Sequence, residues 1–258
     1  MTANRVLLAG RFTRPLKRER RRPLIVGEIL VVIVLLKVYD YVRRFAHLHE
    51  QAALRHAFTI LSIERLLHLD GEHGANVWFA AHTDVSTAAA WWYQYAHVGV
   101  TLAVLASCFV FAPTVYRSAR SALVLTNCAG MMIYLVLPVM PPRLLPHPQF
   151  IDVLSTAGFN HTTMSHVTED QFGAMPSLHM AWATWVAIVL YTMLRRFKWS
   201  ALVFVYPVIT AIVVVGTANH YVLDLVAGVA VTVTTAALTG LFAHSAERAA
   251  EIPGHRRR

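Results

Sequence analysis

Met175-Pro176-Ser177-Leu178-His179 opens an apolar run that continues to Leu194, and Asn219-His220-Tyr221-Val222-Leu223-Asp224 opens another that continues to Phe242. Each run approaches the roughly 20 residues that an α-helix needs to cross a bilayer. Each therefore places an imidazole where a membrane would end, and the second adds a carboxylate one helical turn after its His. Polar groups at the lip of an apolar bundle are costly and call for a chemical explanation.

Working outward, four further stretches have the same character. Pro23–Val42, Ala89–Phe111, Ala122–Met140 and Trp199–Ala218 join Ser177–Leu194 and Tyr221–Phe242 as six candidate spans. The expected fold is all-α, a polytopic bundle of six transmembrane helices. Its first span is weakened by Glu28, Lys37 and Asp40, and its fourth begins with Pro176, a residue favoured at a helix start. Composition agrees. The chain has 258 residues, 56% of them hydrophobic and 14% charged, where a soluble domain carries about 25% charged residues. The expected organisation is a basic cytoplasmic tail over 1–22, a membrane domain over 23–243 with its core at about 89–242, and a second basic tail over 244–258.

The formal net charge of +9 is concentrated at the two ends. A basic tail beside a membrane span sets topology or meets anionic lipid, so no nucleic-acid partner is expected. The stretch after Pro23 lacks a small-residue cleavage site and is read as a retained span rather than a signal peptide. Cys108 and Cys128 lie inside apolar runs and read as small hydrophobes.

With the N-terminus cytoplasmic, the inner connections are Pro113–Ser121, Arg195–Lys198 and the C-terminus, all basic. The outer connections carry Asp70, Glu72, Asp84, Asp152, Glu169 and Asp170. This assignment places His179, His220 and Asp224 together on the extracytoplasmic face of a cell-membrane protein. Leu54–Leu69 has helical spacing interrupted by Arg55, His56, Glu64 and His68, and is expected as an interfacial helix on the outer surface. The Pro141–Met175 connection, about 35 residues, exceeds the roughly 15 at which loops become uncommon unless functional or disordered. It leads into His179 and is expected to form a lid or binding wall.

The His220–Asp224 spacing puts both side chains on one helix face. A carboxylate bonded to one imidazole nitrogen fixes the tautomer and raises the basicity of the other, which suits a nucleophile attacking phosphorus. His179 stands at a helix start, where free N–H groups and a partial positive charge favour a phosphate. The Ser177 hydroxyl can add a hydrogen bond, and His179 can protonate a leaving oxygen. Arg143, at the outer end of the third span, is the candidate cation for phosphoryl oxygens. His47 and His49 lack a ligand cluster, so no metal is expected. Asn160-His161-Thr162 matches a glycosylation acceptor, and Trp91, Trp92, Tyr93 and Tyr95 read as an aromatic belt.

The order of these pieces resembles the type 2 phosphatidic acid phosphatase superfamily, and Gly173–His179 with Ala218–Asp224 is most similar to its inositol phosphorylceramide synthase-like branch. The resemblance implies a six-helix fold, an outer-leaflet active site, His220 as nucleophile forming a phosphohistidine, Asp224 as its partner, His179 as acid, and no cofactor or metal. The superfamily's usual first motif has a Lys well before an Arg-Pro pair, whereas Arg143 is followed by Leu144. Its usual third motif carries an Arg where this chain has Val214. Asn219, Gln171 and His97 are candidates to replace the missing cations. The reading that follows is a membrane enzyme acting on a lipid phosphate, with water as acceptor in a phosphatase or an alcohol in a phosphotransferase. The alternative is a non-enzymatic lipid-binding or flippase-like protein on the same fold.

Overall fold

The computed structural model describes residues 24–46, 49–69, 71–146, 150–159 and 172–243. The basic tails, His47, Asp70, the Asn160 acceptor, Glu169, Asp170 and Gln171 lie outside the described residues. Among the described residues ten α-helices follow in order: α1 (Ile25–Ala46), α2 (Glu50–Leu66), α3 (Glu72–Ala81), α4 (Thr83–Trp91), α5 (His97–Phe111), α6 (Pro113–Val136), α7 (Val153–Thr156), α8 (Leu178–Leu194), α9 (Val205–Gly216) and α10 (Val222–Leu238). A π-helical turn, Trp92–Ala96, fuses α4 to α5. The architecture is all-α. β structure among the described residues is limited to one bridge between Val139 and Gly173.

Among the described residues two helices are long and apolar enough to cross a membrane, Thr83–Phe111 and Pro113–Val136. Of the other four expected spans, the last three are the shorter apolar helices Leu178–Leu194, Ser200–Gly216 and Val222–Leu238, and the first is α1, whose apolar stretch is limited to Val26–Leu35. Several boundaries move. The second run begins at Thr83 rather than Ala89, because Thr83 to Ala90 continue the helix without a break. Pro113–Ser121, expected as an inner connection, is the start of α6. Pro113 takes the first helical position, where its missing N–H costs nothing. Arg120 is then presented along a helix face to Glu28 of α1, at 2.5 Å. Tyr116 donates to the same carboxylate at 2.9 Å. Glu28, which weakens the first run as a sequence, is thus paired. The interfacial helix expected at Leu54–Leu69 is α2, and α3 is an element the sequence reading placed in a loop. Cys108 and Cys128 form no disulfide.

α8 is the central helix, in contact with α5, α6, α9 and α10. A buried cluster of Val104, Cys108, Val115, Ala119, Trp185, Val186, Val189 and Ala236 fills the bundle between α5, α6, α8 and α10. Polar threads cross it: Trp185 Nε1 donates to the Ala119 carbonyl at 2.8 Å, and Thr232 Oγ1 donates to the Ala181 carbonyl at 3.0 Å. Two further clusters flank the other end of the bundle. One joins α2 to the segment after α6 and to Tyr221; the other joins α3, α4 and α7 to α9 and Leu225. The ends of α6 and α9, the starts of α8 and α10, and α2 and α3 all meet there.

The α8–α10 crossing is set by Gly228. A Cβ built there would lie 2.4 Å from the Ser177 carbonyl oxygen and 3.3 Å from the Ala181 nitrogen, both backbone atoms that cannot swing aside. Gly228→Ala must push the two helices apart, and we expect it to cost about 3 kcal/mol, the upper range of overpacking. Thermal unfolding in detergent checks this. Gly99→Ala, whose added methyl meets nothing within 4 Å, should leave the midpoint unchanged or slightly raised.

Candidate active site

α8 begins where Ser177, in an extended conformation, accepts from the Met180 N–H through its side-chain oxygen at 3.3 Å. The Pro176 peptide bond is cis, and the Pro176 carbonyl accepts from the Tyr134 hydroxyl at 2.9 Å. The Ser177 N–H donates to the Asp224 carbonyl at 3.0 Å, locking the start of α8 to the first turn of α10. Ser177 is fully buried. By helix geometry the N–H groups of Leu178 and His179 have no partner within α8.

His179 leaves this turn between two aromatic rings. Tyr93 stacks on it with ring centroids 4.2 Å apart, and His97 lies 4.1 Å away on a tilted plane. The π-helical turn carries Tyr93 and delivers His97 at its end, and such bulges recur at functional sites. His179 Nε2 is buried with no hydrogen-bond partner among the described residues. The His220 ring is 5.7 Å from that of His179.

His220 follows the end of α9, where the Val214 carbonyl accepts from the N–H groups of Asn219 and His220. Ala218 holds a positive φ of 55° at this reversal. The expected bond from Asp224 to the imidazole is displaced. His220 Nδ1 lies 2.9 Å from the Ala174 carbonyl and 3.5 Å from Asp224 Oδ2. A carbonyl only accepts, so Nδ1 carries the hydrogen and Nε2 is left with its lone pair. Asp224 is fully buried. Its Oδ2 accepts from the Tyr221 N–H at 2.9 Å, while its Oδ1 has no hydrogen-bond partner among the described residues.

Arg143 sits in a 3₁₀ turn after α6. Its Nε donates to Asn219 Oδ1 at 2.7 Å, Nη1 is 3.7 Å from Asp152 Oδ2, and its backbone N–H donates to the Ala218 carbonyl. The side chain is 3% exposed. Asn219 spends its amide nitrogen on the Thr217 carbonyl and hydroxyl at 3.2 and 3.0 Å. Arg143 and Asn219 are therefore tied to each other and to the turn that carries His220. Val214 is buried among apolar side chains, as its type requires.

Two residues escaped the sequence reading. Glu64 of α2 and Glu72 of α3 are buried and accept from the Leu223 and Val222 N–H groups at 2.7 and 3.2 Å. The one signal was the interruption of α2's apolar stripe by Glu64, which an interfacial helix explained equally well. Among the described residues no group of three His, Cys, Asp or Glu could hold a metal ion.

A family model described as the PAP2 superfamily matches residues 58–238, well over half of the chain, and the chain belongs to that superfamily. No curated protein and no solved structure matches it. Membership, with the apolar helices, makes this a membrane protein of phosphatase type whose substrate contains phosphate.

The hydrogen bond to Ala174 fixes a tautomer that can be measured. In the neutral ring, nitrogen-15 spectra of His220 should show Nδ1 protonated and Nε2 bare. The reverse pattern would show that the Ala174 carbonyl does not hold the ring.

Proposed function

We propose that this member of the PAP2 superfamily transfers or hydrolyses a lipid-linked phosphoryl group through a phosphohistidine on His220. The observation that carries the reading is the pairing of a bare His220 Nε2 with His179, the two ring centroids 5.7 Å apart at one end of the bundle. His220 Nε2 attacks phosphorus and the bond to the leaving oxygen breaks. His179, whose Nε2 has no hydrogen-bond partner among the described residues, gives that oxygen its proton. An incoming water or alcohol then attacks the phosphohistidine, the P–N bond breaks, and the acceptor's proton returns to His179.

The phosphate lies against the opening N–H groups of α8 and the Arg143 guanidinium, which Asn219 and Asp152 hold in place. Ser177 caps α8 and keeps those N–H groups aimed. Asp224, beside the imidazole edge that faces away from substrate, favours the cation that His220 becomes as it attacks. With water as acceptor the protein is a lipid phosphate phosphatase. With an alcohol it is a phosphotransferase of the inositol phosphorylceramide synthase type. The six apolar runs support six membrane-crossing helices, and the distribution of basic residues supports cytoplasmic termini and an extracytoplasmic site.

The test is single-turnover labelling with a phosphate-labelled lipid. Wild type should form an acid-labile adduct and His220→Ala none, and full turnover by His220→Ala would remove the nucleophile. Asp224→Asn should lower kcat by about 100-fold or more, because the uncharged amide no longer stabilises the imidazolium. Product analysis separates the acceptors, since phosphate released without added alcohol marks hydrolysis.

A further inference from the structure

α10 begins in a largely buried place, with Tyr221 and Asp224 without solvent exposure. The first N–H groups of a helix have no partner within it, and here each of three finds a carboxylate. Tyr221 N–H donates to Asp224, Val222 N–H to Glu72 and Leu223 N–H to Glu64. Asp224 belongs to α10 itself, but Glu64 and Glu72 come from two other helices. Both are essentially without solvent exposure. The two carboxyl groups accept from successive N–H groups of one turn, which sets them side by side, and Glu64 Oε2 is buried with no hydrogen-bond partner among the described residues; one proton there serves both groups, since two carboxylates only accept.

We propose that Glu64 and Glu72 are positioning residues that share one proton and together hold the first turn of α10, and with it His220 and Asp224, in the reacting geometry. The role rests on the phosphoryl-transfer reading above. Neither residue touches the imidazoles; each acts through the backbone that carries them. The titratable groups facing Glu64 are Glu72 from α3 and, at the head of α10, Asp224 and Tyr221. All are acids, so a second full charge would be opposed from every side.

Burial, reinforced by the Glu72 carboxyl, raises the Glu64 carboxyl from 4.5 to about 9. The folded state therefore holds a proton that the unfolded chain loses near pH 4.5. The clamp is complete at neutral pH and its stability declines as pH rises, until the proton leaves near 9.

Glu64→Gln separates this from a merely structural acid. The amide oxygen still accepts from Leu223, the amide nitrogen supplies the donor to Glu72, and nothing titrates. With detergent-solubilised full-length protein and a phosphate-labelled lipid, Glu64→Gln should keep kcat within about threefold of wild type, and Glu64→Ala should lose about 30-fold with little change in KM. Wild type should lose activity as pH passes 9, and Glu64→Gln should not. Infrared spectra of the wild type at neutral pH should show a protonated-carboxyl band that Glu64→Gln lacks. The band does not depend on turnover. If no lipid phosphate is consumed, the phosphoryl-transfer reading fails while the shared proton is still tested. A band that persists in Glu64→Gln, or Glu64→Gln as impaired as Glu64→Ala, overturns the proposal.

Discussion

A helix that starts inside a protein must find acceptors for its first N–H groups, and the head of α10 meets that demand with carboxylates alone. An unpaired buried N–H costs about 1–3 kcal/mol, so three of them set a constraint that the surrounding elements must satisfy. α2 and α3 satisfy it from outside the bundle, and Asp224 from within. The same turn is tied to α8 through the bond from Ser177 N–H to the Asp224 carbonyl, and Gly228, one turn further on, allows the backbones to touch. The two imidazoles meet because the two helices that begin beside them are fastened at their first turns.

The bundle itself was legible as apolar length. Ser177–Leu194, Trp199–Ala218 and Tyr221–Phe242 correspond closely to α8, the helical stretch ending in α9, and α10. The errors share one cause. Arg117 and Arg120 read as a loop because charge in a short connection normally faces water, yet Arg120 answers Glu28 across a helix pair. Glu72 read as part of an acidic outer loop, yet it is buried because α10 needs it. A buried charge looks like a surface charge until its partner is known, and each partner here comes from a distant segment.

The site shows the same division. His179, His220 and Asp224 stood out because each begins an apolar run, and the structure brings them together at one end of the bundle. What spacing could not show is which atom satisfies the imidazole. An i,i+4 pair can bond, but the Ala174 carbonyl, 46 residues earlier, lies nearer to Nδ1 than Asp224 does. Nor could spacing bring His97 to His179, since that contact follows from the π-helical turn that precedes it.

Charge inventory explains why the pocket tolerates so few cations. Between Arg120 and Arg195 the sequence holds a single Lys or Arg, Arg143, and its guanidinium is already in contact with Asp152 and Asn219. Asp224 lies 3.5 Å from His220, and any further full negative charge nearby would compete with it for the same imidazole. Two unit charges 4 Å apart still interact by about 4 kcal/mol at the effective dielectric of a protein surface. A Glu64–Glu72 pair carrying two charges would add that repulsion to its own desolvation, whereas a pair sharing one proton adds a single charge. That charge is partly spent on the N–H groups of Val222 and Leu223. A cap that keeps its proton therefore leaves one negative charge fewer beside His220 and Asp224.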